Sequence, residues 1–394
     1  MFRFLFLSVL FFGWISVFAG DDPTFSAWLE ELKLEASTKG ISEQTIASTF
    51  DNAQFLPHVI VLDRSQPEFI STFLTYVKKR VTLRRIVIGR LKLRVHNDLL
   101  SKIEMQYGVP KNILVAFWGL ETNYGASTGN YGLPSALMTL AYEGRRAAFF
   151  RSQLMDMMHI VDAGHNHVGS MRGSWAGAMG HMQFMPSTFL AYAADTNADG
   201  RNDVWHSLPD SFASAANYLS SIGWVYGEPV AIEVKLPPKF DYYQAQLAIR
   251  KNTKYWAALG VKQANGSLLP KLNNTAILMP QGWEGPAFLV ATNFDKVMQW
   301  NRSINYALSV SHLADQLLGD RPIVHGLEAE NTPISFNQAW ALQAKLNQLG
   351  YNSGKPDGFP GRKTKEAVRS YQLEHHLPID GYPSIDLFEK VMKD

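Results

Sequence analysis

A single glutamate, Glu121, stands at the end of a strongly apolar stretch and shortly before a glycine. Residues 114–120 are almost all hydrophobic, and Gly125 follows within about one helical turn. Burial against Trp118 and Leu120 would disfavour the ionised carboxylate and raise the pKa of Glu121. A carboxyl group of this kind can donate a proton near neutral pH, so Glu121 is a candidate general acid. Taken alone, the segment also fits a solvated glutamate at a helix end.

A second segment, 173–188, is dense in glycine and alanine and carries a few polar side chains. Small residues let a backbone approach a ligand or another helix closely. Ser174 and Gln183 would supply hydrogen bonds at such a place. Tight helix packing with incidental polar residues is the alternative interpretation of this segment.

Four separate motifs agree in order and spacing with one known family. The first two are residues 121–125 and, some fifty residues later, 176–187; residues 132–150 and 64–69 strengthen the match. The chain up to about residue 318 therefore resembles the membrane-bound lytic transglycosylase B family, part of the lytic murein transglycosylases. The resemblance implies a lysozyme-like catalytic core.

That family cleaves the β-1,4 bond between N-acetylmuramic acid and N-acetylglucosamine in peptidoglycan. The resemblance implies that Glu121 protonates the glycosidic oxygen and then, as a carboxylate, accepts the proton of the muramoyl C6 hydroxyl. This hydroxyl attacks C1 and leaves a 1,6-anhydro sugar, so the reaction is a lyase reaction. Because water is not the nucleophile, the second carboxylate of an ordinary glycosidase is not needed. The chemistry requires no cofactor.

The same motifs suggest substrate-binding residues around Glu121. Ser174 and Gln183 fall where the family places polar contacts to the sugar and the catalytic centre. Asn301 and Tyr306 match a later motif that lines the cleft. Trp300 stands where tyrosine is expected in the better-known members, and tryptophan could stack on a sugar ring there.

Residues 195–203 place oxygen-bearing side chains at positions 1, 3, 5 and 9 of an EF-hand-like loop, with glycine at position 6. Position 12 is His206, so the bidentate glutamate is missing, and Asp210 could replace it in a longer loop. An Asx-rich turn capped by its own side chains is the alternative. The candidate ligands of a structural calcium ion are Asp195, Asn197, Asp199, Arg201 and Asp210.

Hydrophobic spacing predicts a mainly α (α+β) fold. A spacing of three and four residues indicates helices before residue 108 and again near residue 310, whereas alternation between 230 and 286 indicates a small β-rich insertion. We expect a catalytic domain over 20–318 with a helical N-terminal part. The segment 319–333 lacks periodic apolar residues and is expected to be a linker.

Residues 334–394 show helical patterns on both sides of a glycine-rich turn. They resemble the type 1 peptidoglycan-binding module, which implies three helices and a shallow ligand groove. Tyr371 stands where members usually have phenylalanine. Such a module would tether a weak catalytic domain to its substrate. A generic helical appendage is the alternative.

Residues 1–19 combine a short basic start, an apolar run and small residues at a cleavage position, which predicts a secretory signal peptide. The 394-residue chain has no cysteine, which excludes disulfides, zinc–thiolate sites and lipid attachment through an N-terminal cysteine. We therefore expect an exported protein of the bacterial periplasm, soluble or peripherally wall-associated, with no transmembrane segment in the mature form.

The charge balance narrows the classes of partner. With 37 basic and 35 acidic residues, the net charge is +2, which lacks the strong positive charge typical of nucleic-acid-binding proteins. The expected partner is the peptidoglycan glycan strand, with other cell-wall enzymes as further candidates.

Two other functions remain open at this point. A hydrolytic muramidase would need a second carboxylate to activate water, for which Asp156 and Asp162 are candidates. A non-catalytic wall-binding or scaffold protein would not need Glu121 at all.

Overall fold

The computed structural model describes residues 23–51, 54–64, 71–143, 146–320, 322–329 and 332–394. The predicted signal peptide and all but the first residue of the motif at 64–69 lie outside these ranges. The described residues form a mainly helical protein with short antiparallel strands, which confirms the predicted fold class. Within them, no helix is long and apolar enough to cross a membrane.

Helices build most of the body that precedes residue 319. Their bounds are α1 (Pro23–Thr38), α2 (Glu43–Phe50), α3 (Pro57–Arg64), α4 (Phe73–Arg80), α5 (Leu83–Val95), α6 (Asn97–Tyr107), α7 (Lys111–Thr122), α8 (Leu133–Tyr142), α9 (Ala147–Asp162), α10 (Pro186–Tyr192), α11 (Leu208–Ser221), α12 (Thr253–Ala258), α13 (Thr292–Trp300) and α14 (Ile304–Leu318).

Helix α7 lies at the centre of the body. All its residues from Ile113 to Leu120 are buried, as the nearly unbroken apolar sequence requires. It packs against α14 and α5, and its first turn begins after Pro110, whose fixed φ suits a helix start. The body thus positions the C-terminal end of α7, where Glu121 lies.

Strands form two small sheets. Strand β1 (Tyr131–Gly132) pairs with β2 (Arg172–Gly173), with Tyr131 opposite Gly173. The predicted insertion is a four-stranded antiparallel sheet with its own core around Trp256. Its strands are β3 (Ala231–Lys235), β4 (Lys262–Gln263), β5 (Ala276–Leu278) and β6 (Ala287–Val290), and they lie in the order β4-β3-β6-β5.

The C-terminal unit consists of α15 (Phe336–Gln348), α16 (Arg362–Glu374) and α17 (Ile385–Val391), as predicted. Its separate core includes Leu342 and Tyr371. Helix α15 begins with a capping box, in which the side chains and backbone of its first turn satisfy each other's hydrogen bonds.

This unit contacts the β-rich insertion through one aspartate. The Asp380 carboxylate accepts a hydrogen bond from the backbone N–H of Trp283 at 2.9 Å, and Gln372 donates to its other oxygen. Gly282 has φ +77°, and a side chain there would meet Asp380 and Tyr382. The two units therefore touch at a specific place.

Helix α5 packs closely against the body at Gly89. A side chain at this position would overlap Tyr124 and Leu317. We expect Gly89→Ala to lower the free energy of unfolding by about 1–2 kcal/mol, since overpacking outweighs alanine's better helix propensity. Denaturant unfolding measures the change. Gly169→Ala is the control, because nothing lies within 4 Å of its would-be Cβ. Equal stability of the two variants would contradict this packing.

Candidate active site

Helix α7 ends in a turn with an unusual backbone. Asn123, Tyr124 and Gly125 have φ values of 50°, 62° and 84°, three consecutive left-handed residues. A bulky residue such as Tyr124 rarely adopts this conformation, so other contacts must stabilise it. The Tyr124 hydroxyl donates to the backbone carbonyl of Arg85 at 2.8 Å, and its ring packs on Gly119. These contacts fix the helix end that carries Glu121.

The glycine-rich segment is joined to this turn by His181, to which the sequence assigned no chemistry. The Trp118 indole donates to Nδ1 of His181 at 3.1 Å, and the Thr122 hydroxyl donates to its backbone carbonyl at 2.9 Å. Burial lowers the pKa of His181, which favours the neutral ring that can accept at Nδ1. At Gly125, a side chain would overlap the imidazole. His181 thus has a structural role.

Ser174 and Gln183 hold the glycine-rich segment in shape. The hydroxyl oxygen of Ser174 accepts from the backbone N–H of Ala178 at 3.0 Å. Gln183, with φ 52°, donates through Nε2 to the carbonyls of Thr128 and Gly180 at 2.9 and 3.0 Å. Both side chains remain partly exposed, and their contact with sugar stays a prediction.

Two donors converge on one oxygen of Glu121. The Trp300 indole N–H donates to Oε1 at 2.9 Å, and the Tyr306 hydroxyl donates to the same oxygen. Tyr306 is buried, and burial together with the adjacent carboxylate raises its pKa well above 10. The phenol therefore stays protonated and remains a donor at neutral pH.

Trp300 is held by an aromatic cluster. Its ring lies 4.4 Å from the ring of Phe117, 5.4 Å from Phe184 and 5.3 Å from Tyr218, measured between centroids. The hydrogen bond to Glu121 was not predicted from the sequence, which offered Trp300 only as a sugar-stacking residue. Stacking on sugar stays a prediction.

Glu121 opens into a cavity of about 130 Å³. Sequence reasoning missed two residues of this cavity, Tyr76 and Arg80, because α4 showed only the apolar spacing of a core helix. The guanidinium of Arg80 lies 5.5 Å from the centroid of the Tyr76 ring. The cavity is lined by Tyr76, Arg80, Leu120, Glu121, Asn301 and Tyr306.

Among the described residues that line this cavity, Glu121 alone carries a carboxylate. Asp162, one candidate for a second carboxylate, accepts hydrogen bonds from the backbone and hydroxyl of Ser42 at 2.8 and 2.6 Å. Asp156, the other candidate, lies on α9, where burial raises its pKa. Neither lines the cavity. Among the described residues, the cavity thus has one carboxylate and not the pair that a muramidase uses.

In the loop 195–210, the exposed carboxylate of Asp199 and one buried carboxylate oxygen of Asp195 are candidate contacts for a cation. Asp199 is exposed and accepts from the N–H of Arg201 and from the side chain of Asn197, both at 2.8 Å. Asp195 accepts from the N–H of Gly200 at 2.8 Å through Oδ2, whereas its Oδ1 is buried and has no partner among the described residues. Calcium prefers such oxygen donors.

Asp210, the predicted replacement for position 12, is engaged within the loop. Its two oxygens accept from the backbone N–H groups of Thr196 and Asp203 at 3.0 and 3.2 Å. In the described part of the chain, no three aspartates, glutamates, histidines or cysteines form a group that could hold a metal ion. A cation would thus depend on Asp195 together with amide and backbone oxygens, and calcium stays a prediction.

A lysozyme-like helical body in which Glu121 is the one carboxylate among the described cavity residues is typical of a glycan-cleaving enzyme. Comparison with known proteins agrees: residues 24–315 match the family described as Transglycosylase SLT domain, and residues 339–391 match the peptidoglycan binding domain family. The chain therefore belongs to the lytic murein transglycosylases, lyases that act on peptidoglycan.

Individual relatives support this membership. The chain is 31% identical over 310 residues to membrane-bound lytic murein transglycosylase B of Escherichia coli, covering 74% of this chain and 82% of that protein. SltB3 of Pseudomonas aeruginosa, solved in complex with NAG-NAM-pentapeptide, is 39% identical with a TM-score of 0.90 and coverage of 93% and 99%. Escherichia coli Slt35, solved in complex with calcium, is 27% identical with a TM-score of 0.63 and coverage of 75% and 93%.

We expect the indole N–H of Trp300 to support turnover because it orients the Glu121 carboxylate. Trp300→Phe keeps an aromatic ring in the cluster but removes the donor, and should lower kcat about tenfold to 100-fold with a smaller change in KM. Initial rates of muropeptide release measure this. Trp28→Phe, in an aromatic cluster of α1, is the control. Equal rates for both variants would exclude a role for the N–H.

Proposed function

We propose that Glu121 is the sole general acid and base of this transglycosylase. The observation that carries the proposal is the cavity, in which Glu121 is the one carboxylate among the described lining residues. A single group suffices when the second nucleophile comes from the substrate itself. Hydrolysis, by contrast, uses a second carboxylate that activates water or attacks the sugar.

In the proposed reaction, Glu121 gives up one proton in the first step and recovers one proton in the second. Glu121 donates it to the glycosidic oxygen of the bond between N-acetylmuramic acid and N-acetylglucosamine as the bond to C1 breaks. The resulting carboxylate then removes the proton of the muramoyl C6 hydroxyl, whose oxygen bonds to C1. The 1,6-anhydro end forms, no water is consumed, and Glu121 is protonated again.

Tyr306 and Trp300 suit the ionised stage of this cycle. Their O–H and N–H groups are already directed at Oε1, so they stabilise the carboxylate without rearrangement when the proton has left. Asn301 lines the same cavity and presents an amide to the substrate. Ser174 and Gln183 would contact sugar from the glycine-rich segment. SltB3 was solved with NAG-NAM-pentapeptide, and we assign this chain a peptide-bearing glycan of the same kind.

The protein would act after export. The first 19 residues have the features of a cleaved signal peptide, and peptidoglycan lies outside the cytoplasm. With no cysteine for N-terminal lipid attachment, we propose a periplasmic protein that is soluble or peripherally associated with the wall. The C-terminal unit would increase the time spent on the strand by adding a second contact.

The central test is the digestion of purified sacculi by the wild type and by Glu121→Gln. We expect the wild type to release 1,6-anhydromuropeptides and the variant to be slower by about 1,000-fold or more, since the amide cannot transfer the proton. Mass spectrometry of the products measures both.

The same digest separates the other functions. Reducing muramic ends from the wild type would indicate a muramidase and contradict the proposal. Wild-type release of anhydro ends that persists in Glu121→Gln would exclude Glu121 as the acid. Asp162→Asn serves as the matched control, because it changes a carboxylate outside the cavity and should leave product identity unchanged.

We also propose that the loop from Asp195 to Asp210 binds a structural calcium ion. The buried Oδ1 of Asp195 supports this, because a buried oxygen without a partner is costly unless a ligand compensates. Slt35, a relative with the same family fold, was solved in complex with calcium. The ion would stabilise the loop and take no part in the reaction.

Calcium at about 100 times its Kd should raise the melting temperature by about 5 °C, as expected for a ligand that binds only the folded state. Asp195→Asn should abolish the increase, whereas Asp98→Asn on α6 should keep it. Scanning calorimetry with calcium, magnesium or a chelator measures these shifts. A melting temperature independent of calcium would rule the site out.

A further inference from the structure

Helices α4 and α5 concentrate positive charge in a nearly neutral chain. Between residues 73 and 95 there are eight lysines and arginines and no acidic residue, although the net charge of the whole chain is only +2. Some of these cations have internal contacts: Arg90 donates to the carbonyl of Gln316 at 2.6 Å, and Lys92 lies over the Trp118 ring. Arg85 donates to the backbone carbonyl of Arg80, and Arg80 itself lines the cavity of Glu121.

Besides Arg90, four cations of this segment are exposed. Lys78 and Lys79 lie in the last turn of α4, and Arg84 and Arg94 lie on α5. No carboxylate follows until Asp98, at the start of α6. These exposed cations give α4 and α5 a concentration of positive charge that a negative partner would neutralise.

Helix α5 also exposes an aliphatic stripe. Leu83, Val87, Leu91 and Val95 are 76%, 56%, 49% and 65% exposed. Their spacing of four residues places them along one side of the helix over roughly 18 Å. On another side, Ile86 and Gly89 are buried against the body. Helix α5 thus has two apolar sides, and only the side with Ile86 and Gly89 packs against the core.

This combination is unusual for a helix in contact with water alone. Contiguous exposed apolar groups indicate an interaction site, whereas isolated ones need no explanation. Aliphatic side chains interspersed with lysine and arginine are typical of helices that lie in the interface of a membrane. Apolar side chains then enter the acyl boundary, and cations contact phosphate groups.

We propose that α4 and α5 dock the protein on an anionic lipid bilayer. The docking surface consists of Lys78, Lys79, Leu83, Arg84, Val87, Leu91, Arg94 and Val95. Its charge complements phosphate headgroups, and its aliphatic stripe gains free energy by leaving water. A polysaccharide would use the charge but not the stripe, because sugars are bound by aromatic rings and hydrogen bonds. The stripe therefore favours lipid over glycan as the occupant.

Docking would place the active site beside the membrane. Helix α4 contributes Tyr76 and Arg80 to the cavity of Glu121 and Lys78 and Lys79 to the docking surface. Lipid binding itself does not depend on the role of Glu121, so the two proposals can fail separately.

The test is co-sedimentation with vesicles, using exported protein whose loss of residues 1–19 has been established by mass spectrometry. The wild type should bind vesicles of phosphatidylethanolamine with one-third phosphatidylglycerol. Binding to pure phosphatidylcholine should be much weaker. Added salt should weaken binding to the anionic vesicles, because the electrostatic contribution is screened.

Two variants address the two parts of the surface. Neutralising Lys78, Lys79, Arg84 and Arg94 to glutamine should weaken binding about 600-fold, at roughly fivefold per cation. Changing the stripe of Leu83, Val87, Leu91 and Val95 to serine should weaken it at least as strongly. The matched control changes four exposed aliphatic residues elsewhere to serine: Leu34, Val61, Leu268 and Leu373.

Activity on sacculi without lipid should be unchanged in all three variants, which shows that they are folded. Equal vesicle binding by the stripe variant and its control would overturn the proposal. Salt-dependent binding to sacculi without binding to any vesicle would also overturn the proposal, because the partner of this surface would then be the anionic wall polymer.

Discussion

The convergence of two hydrogen-bond donors on one oxygen of Glu121 is the interaction on which the site depends. Trp300 and Tyr306 lie on α13 and α14, whereas Glu121 ends α7, so three helices must meet within hydrogen-bonding distance. The extensive packing of α7 on α14 and the aromatic cluster around Trp300 provide this alignment. Much of the body can be understood as the support of a single carboxylate whose orientation is fixed before substrate arrives.

The end of α7 imposes the second constraint. Three left-handed residues in a row are tolerated because Tyr124 is fixed to α5 and because His181 links the turn to the glycine-rich segment. Two glycines make room for specific side chains: Gly125 at the end of α7 for the imidazole of His181, and Gly89 on α5 for the ring of Tyr124. Local strain at the functional helix end is thus balanced by contacts from distant parts of the chain.

Apolar periodicity predicted the helical body and the β-rich insertion, because these depend on local pattern. The three C-terminal helices were implied by the resemblance to the peptidoglycan-binding module. Apolar periodicity and motif spacing also indicated the helix on which Glu121 lies. The hydrogen bond from Trp300 could not be predicted, because it joins residues 179 positions apart and depends on the rotation of two helices. Arg80 was missed for a related reason: its helix has the pattern of a core element, and only the fold brings it to the cavity.

The contact between the C-terminal unit and the body determines which substitutions it tolerates. Because the backbone N–H of Trp283, not its side chain, meets Asp380, the residue at position 283 can change without loss of that hydrogen bond. Gly282 has no such freedom, since any side chain would displace the aspartate. The placement of the C-terminal unit on the body therefore depends more on the backbone at Gly282 and Trp283 and on the carboxylate of Asp380 than on the side chain at position 283.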